Sequence, residues 1–402
     1  MEFGLKRNLK KEDDNNMYIY IGTFMVSSFL LWSVENKADT AVVRKIIVFL
    51  ALLLPIMLAG MRAIGIGTDT KVYVNLLYDA AINSSNIIEY FNYEVFSVYQ
   101  YLPVSDWEPG YCLLVYITTK LFSSYQAVLF VTQALINICV YKGLRYFKDS
   151  IPVWFGMLTF YFLFYNTSYN AMRQWIAMAI LFWGFIFIVE KKKVKFIITL
   201  MVAMMFHTSA IIGGIVFLLY EYSIMNSKSQ VRILFRGKEL EQDVYKVLIV
   251  ALVGIIVLLA IPVVANILSM FGPAFVRYVY VYLRGSIEFM PMQIIRRIPL
   301  FFVVICYWKK LRMKTETATF LVIMMVMDIV ISQLGSITNQ SGRIGGYFSA
   351  YYVLLYPYLL SVQKKNKFLV GMLLEGILFV TWYYDIVYSG RAETVPYRFY
   401  FQ

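Results

Sequence analysis

The residues that could do chemistry are few, and they interrupt long apolar runs. His207 is the only histidine of the chain, preceded by apolar residues and followed by Thr208 and Ser209. An imidazole can move a proton near neutral pH. Arginines stand at Arg62, Arg173, Arg297 and Arg343, and a guanidinium suits the planar, two-point grip that a phosphate or diphosphate needs. Two carboxylates complete the set. Asp69 falls in MRAIGIGTDTKVY, and Glu108 falls in Trp107-Glu108-Pro109-Gly110, at the mouth of an apolar run. The candidate functional residues are therefore His207, Asp69 and Glu108, with the four arginines.

A basic turn fixes the depth of these groups. Lys191, Lys192, Lys193 and Lys195 separate two apolar runs, and the positive-inside rule puts that turn in the cytoplasm. At about 1.5 Å of rise per helical residue, Arg173 stands roughly 28 Å and His207 roughly 22 Å above it. The same measure puts Arg297 about 18 Å above Lys309, Asp328 about 21 Å above Lys314 and Arg343 about 32 Å above Lys364. An ionisable group held at outer-leaflet depth is a functional candidate by default, because lipid offers it no solvent. Plainer readings stand beside this one. Arg173 could snorkel to the interface, and His207 could be a core histidine bonded to a backbone carbonyl.

The elements that must position these groups are membrane spans. The chain has 402 residues, 60% hydrophobic and 18% aromatic, and a soluble globule is closer to half apolar. The class is all-α, a polytopic integral membrane protein of about ten to twelve crossings. The charge of +13 is spread in short clusters between spans, which excludes a nucleic-acid face and reads as topology anchors. Cys112, Cys139 and Cys306 lie in or beside apolar runs without metal or pairing spacing, so they read as packing residues and no metal site is expected. No cofactor is expected either. The absence of an internal repeat weighs against transporter folds built from inverted halves.

In order, the chain reads as a polar, disordered tail over 1–16 and a single helical membrane domain over 17–388. An outer tail follows over 389–402. Within the domain, residues 62–107 form a large outer loop and residues 222–243 a cytoplasmic one. The run from Phe196 to Tyr220 would be about 37 Å long as one helix. It is expected to break near His207 and return, which puts Lys228, Arg232, Arg236 and Lys238 in the cytoplasm. One conflict remains at this level. An odd number of crossings must separate the outer loop from Arg145, yet two apolar runs, Gly110 to Phe122 and Ala127 to Leu144, lie between them. One of the two does not cross.

The glycines of MRAIGIGTDTKVY allow close backbone approach, and the stretch reads either as a weak phosphate cradle or as a turn capped by Asp69. Glycine beside arginine recurs at Gly342, Arg343, Gly345 and Gly346. The terminal VPYRFYF suits an interfacial aromatic belt or a lid.

Taken in order, these motifs resemble the EpsG family, relatives of the Wzy polymerases of bacterial exopolysaccharides and capsules. The resemblance rests on R-x-x-G-x-G-T-D-T-x-x-Y from Arg62 to Tyr73, E-x-G-Y from Glu108 to Tyr111 and M-R-Q-x-I-A from Met172 to Ala177. It continues in the basic turn, F-H-x-S-A from Phe206 to Ala210, R-x-x-x-Y-F from Arg343 to Phe348 and the terminal P-Y. It implies a GT-C-like glycosyltransferase architecture in the bacterial cell (cytoplasmic) membrane. The implied reaction moves a growing glycan from undecaprenyl diphosphate to the next lipid-linked repeat unit at the outer face. Arg62, Arg173, Arg297 and Arg343 would bind and neutralise the leaving diphosphate without metal, and His207, with Asp69 or Glu108 as second candidates, would take the acceptor proton. The implied partners are undecaprenyl-diphosphate-linked oligosaccharides and membrane lipid, with a chain-length regulator and a flippase as candidates and no nucleic acid. A flippase or exporter of the same lipid-linked oligosaccharide is the alternative. An acyltransferase would want a histidine-acid motif, which the sequence lacks.

Overall fold

Apolar runs longer than a bilayer core is thick fold here as helices, because a helix satisfies every backbone polar group within its own segment. The structure, a computed structural model, describes residues 2–37, 40–97, 100–225, 233–235, 238–269, 288–336, 343–363 and 365–402. Lys228, Arg232, Arg236, Gly342 and Lys364 lie outside the described residues. Among the described residues eight helices are long and apolar enough to cross a membrane, which makes the chain an all-α, multi-pass membrane protein. Val153–Tyr165 and Thr208–Ile224 are shorter apolar helical stretches. The chain forms two compact units, Met1–Ala210 with Gly371–Gln402, and Ile211–Val370.

In the first unit α1 spans Glu2–Asn36 and α2 spans Ala41–Gly60. The helix of α1 thus extends back through the polar residues expected to be a disordered tail. Thr40 caps α2 by accepting the Val43 N–H at 3.3 Å. The loop after α2 carries α3 (Asn75–Asn83), α4 (Ile87–Asn92) and a short antiparallel ribbon of β1 (Glu94–Ser97) and β2 (Gln100–Pro103). Then come α5 (Pro109–Phe122), α6 (Tyr125–Tyr146), α7 (Val153–Phe160, widened to Tyr165 by a π turn), α8 (Met172–Val189) and α9 (Lys193–Phe206). Helix α8 is the centre of this unit. Of its apolar window 72% is buried, against 28% for α1 and for α2, which therefore face lipid.

The two runs behind the parity conflict differ in length. Helix α5 has 14 residues, about 21 Å of helix. Near its C-terminus Lys120 Nζ donates to Ser84 O at 2.6 Å, and Tyr78 Oη donates to Ser123 O at 2.9 Å. Helix α6, with 22 residues, is long and apolar enough to cross a membrane. Its first turns pack on Gly60, where a Cβ would lie 2.4 Å from the Phe130 ring, and near its far end Gly143 lies against Phe182 of α8. Small residues let such helices approach closely.

The basic turn is as expected. Lys191 takes a left-handed φ of 59°, Lys192 pairs with Glu190 at 2.7 Å, and α8 and α9 pack as a hairpin on either side. The expected break is also present. Helix α9 ends at Phe206, His207 is extended, and a 3-10 turn Thr208–Ile211 leads into α10 (Ile212–Ile224).

The second unit contains α10, α11 (Gln242–Ser269), α12 (Ile298–Lys314), α13 (Ala318–Ile331) and α14 (Tyr352–Ser361). Helix α13 is its core, with 78% of the apolar window buried. The last helix, α15 (Lys367–Trp382), widens into a π turn at Tyr383–Tyr388 and returns the chain to the first unit.

Candidate active site

The site in the first unit lies at the end opposite the basic turn, where α2 ends and α8 begins. The turn Gly65–Thr70 is clasped onto the link between α7 and α8. Gly67 has φ +80°, and a Cβ there would come within 2.9 Å of Tyr169 O, so only glycine fits both the conformation and the approach. The Thr68 N–H donates to Asn170 Oδ1 at 2.8 Å, and Asp69 Oδ2 accepts the Met172 N–H at 3.0 Å. Ala171, at the N-cap of α8, has no side-chain oxygen to offer, so Asp69 supplies the negative charge that a helix N-terminus favours. Of the two readings of the glycine motif, a phosphate cradle or a cap, the structure makes it a cap. The end it caps belongs to a different helix, 103 residues away.

Arg62 is only 1% exposed. Its Nη1 donates to Ala59 O at 2.7 Å, its Nη2 to Thr70 Oγ1 at 3.3 Å, and its guanidinium lies 4.0 Å from the centre of the Tyr169 ring. Nε finds no partner among the described residues. The C-terminal tail lies alongside, since Ala63 N–H donates to Arg398 O at 2.8 Å and Tyr400 N–H to Met61 O at 2.9 Å. The tail is itself pinned. Tyr397 Oη donates to Leu58 O, Tyr20 Oη to Thr394 O, and Asn166 Nδ2 to Thr394 Oγ1, with Asn166 Oδ1 accepting from the Trp382 indole. In this arrangement Arg62 shapes the loop and is not presented to a ligand.

Arg173, on the first turn of α8, is the arginine that reaches the surface of the site. Its Nη1 is bound by Glu108, and the two side chains are 15% and 14% exposed. The Tyr73 ring lies under the guanidinium at 4.2 Å and meets Trp107 edge-on. Arg173 makes no other hydrogen bond to the described residues, and Glu108 Oε1 has no partner among them. Glu108 is placed by α5. Gly110, in its first turn, packs on the Met205 backbone, where a Cβ would lie 2.8 Å from the carbonyl oxygen. The buried Tyr111 hydroxyl on the next residue also lacks a partner among the described residues.

His207 follows Met205 by two residues and is half-buried. Its Nδ1 accepts the Ser209 N–H at 3.2 Å and lies 2.6 Å from Ser209 Oγ. With Nδ1 accepting, the neutral ring carries its proton on Nε2. That tautomer offers a donor.

In the second unit Arg297 is held by Asp328 through two parallel bonds, Nε to Oδ2 at 2.5 Å and Nη2 to Oδ1 at 3.0 Å. Tyr352 Oη donates to the same carboxylate at 2.7 Å, and Arg297 Nη1 donates to Gln293 O. Arg343 is exposed and opens a 3-10 turn that brings Gly345 against Asp328. The structure thus gathers Arg62, Asp69, Glu108 and Arg173 in one unit, and in the other holds Arg297 on Asp328, with Arg343 two residues before the Gly345 that packs there.

A model of the EpsG family matches residues 45–399. The chain belongs to the EpsG family. This is the family of Wzy-like polymerases in exopolysaccharide synthesis. The EpsG match begins inside α2 and ends in the tail that covers Arg62, so it includes every residue of both clusters. No curated protein and no solved structure matches the chain. Within this EpsG chain, Tyr169, Asn170 and Thr394 hold or line the site without any signal of their own, whereas Tyr111 closes a quoted motif. Tyr73 closes the first quoted motif, where its ring gave no sign that it would lie under Arg173.

Proposed function

We propose that the protein is a glycosyltransferase that polymerises lipid-linked oligosaccharide repeat units at the outer face of the cell membrane. The donor glycan is carried on undecaprenyl diphosphate. The C1–O bond to the diphosphate breaks, the acceptor hydroxyl oxygen bonds to C1, and the leaving diphosphate keeps the electron pair. Arg173 is the group assigned to that developing charge. It is fixed on one side by Glu108 and underneath by Tyr73, so it is preorganised, and its remaining nitrogens are open to a phosphate.

The acceptor proton goes to Glu108, whose Oε1 is unclaimed, and Trp107 next to it offers a ring on which a sugar face stacks. His207 is the second group assigned to proton movement at this site. In the second unit Arg343, which is exposed, and Arg297, which is bound by Asp328, are the arginines assigned to the phosphates of the second substrate. The observation that carries this reading is the Arg173–Glu108 pair, two largely buried opposite charges at a helix end in an EpsG chain. Its test is a ladder of lipid-linked oligosaccharides from cells carrying Glu108→Gln, with sidedness scored by an external glycosidase. The proposal expects single repeat units exposed outside and long chains lost. Units stranded inside would instead make the protein a flippase.

A further inference from the structure

The opposite end of the first unit holds a feature that this reaction does not use. Helices α1, α2, α6 and α7 enclose a cavity of about 840 Å³ there, within the usual range for ligand sites. Among the described residues five cations line it, Lys37, Arg44, Lys45, Arg145 and Lys148, against two carboxylates. One of those carboxylates, Glu35, is already committed, since its Oε1 accepts the Trp154 N–H at the start of α7 at 2.8 Å. The other, Asp149, is exposed. Positive charge is therefore in excess inside a partly enclosed space.

The rest of the wall is apolar, including Leu31, Val48 and Phe49. Phe49 lines the cavity and is also 62% exposed, on a helix that faces lipid. The space is thus open sideways to acyl chains and basic at its polar rim. Lys37 lies 5.3 Å over the Trp32 ring, a pairing suited to the headgroup level.

We propose that this cavity is a binding site for an anionic glycerophospholipid of the leaflet at that end. Its phosphate is held by Arg44, Arg145 and their neighbouring lysines, and its chains lie against α1 and α2. Basic pockets between membrane helices recognise such headgroups, and guanidinium forks bind phosphate at two points. The inference needs only that the chain spans a membrane, and stands apart from the polymerase reading.

The test is native mass spectrometry of the purified full chain from mixed micelles with equal phosphatidylglycerol and phosphatidylcholine. Phosphatidylglycerol is expected to stay bound at tenfold or greater excess. Arg145→Gln with Lys148→Gln, both exposed positions, should reduce that preference below twofold while the chain stays monodisperse. Lys45→Gln with Arg44→Gln should do the same from the facing helix. Equal retention of both lipids, or an unchanged preference in both double variants, overturns the proposal. So does displacement of the lipid by soluble glycerol phosphate at the same concentration, which would make the site one for a free anion.

Discussion

The guanidinium of Arg173 grips the carboxylate of Glu108, 65 residues earlier in the chain, and neither side chain is fully buried or fully exposed. Arg173→Lys keeps the charge but loses the fork, so polymer formation should fall at least tenfold with protein levels unchanged. The measurement is polymer made per unit of protein in membranes. Wild-type yield from the lysine variant would reduce Arg173 to an interfacial anchor.

Glu108→Gln tests proton transfer at the same pair. Loss of a general base lowers a rate by about 10²- to 10⁴-fold. Because glutamine still fills the space beside Arg173, the expected defect is in turnover and not in folding, which detergent extraction and size-exclusion profiles would check.

His207 separates donor from base. If Nε2–H donates to a charged oxygen, His207→Ala should cost about 10- to 100-fold, the value of such a hydrogen bond. His207→Gln, whose amide also donates, should recover most of it. A base would show no recovery by glutamine, so equal loss in both variants would return the proton to His207.

Much of this arrangement was legible in the chain. The basic turn gave the α8–α9 hairpin, and the excess length of Phe196–Tyr220 gave the break at His207. Arg173 and Glu108 were each marked by charge in an apolar setting. Their pairing was not, because nothing local reports a contact across 65 residues. The tethering of α5 to the preceding loop was equally hidden, since its contacts with Ser84 and Tyr78 join residues more than 30 positions apart. Asp69 was read as part of a weak phosphate cradle or as the cap of its own turn, and as a second candidate base, and the N–H it accepts belongs to a distant helix.

In the second unit Asp328→Ala would leave Arg297 buried without its counter-charge. Removing one member of such a pair costs about 3–5 kcal/mol, whereas replacing both by apolar residues is often neutral. Thermal unfolding in detergent should therefore show a large drop for Asp328→Ala and recovery for Asp328→Leu combined with Arg297→Met. An unchanged midpoint for the single variant would mean that the pair is solvated.

Sidedness is measured with an impermeant maleimide after Cys306, the exposed cysteine, is replaced by serine. Cysteine at Ser85 should label in intact cells. Cysteine at Met225, exposed at the end of α10, should label only after permeabilisation. Labelling of Met225→Cys from outside would remove the return after His207.

Tyr20 bonds to Thr394 across 374 residues, and Ala63 bonds to Arg398. A ribosome feeding this chain into the membrane delivers Arg62 more than 300 residues before the segment that lies over it. Through that interval the most buried arginine of the site stands without its cover, and the first helix waits for Thr394 before its tyrosine is satisfied. Deleting the segment from Thr394 to Arg398 would leave the helices of this unit in place and the loop around Arg62 open, which gives quality control a feature to read.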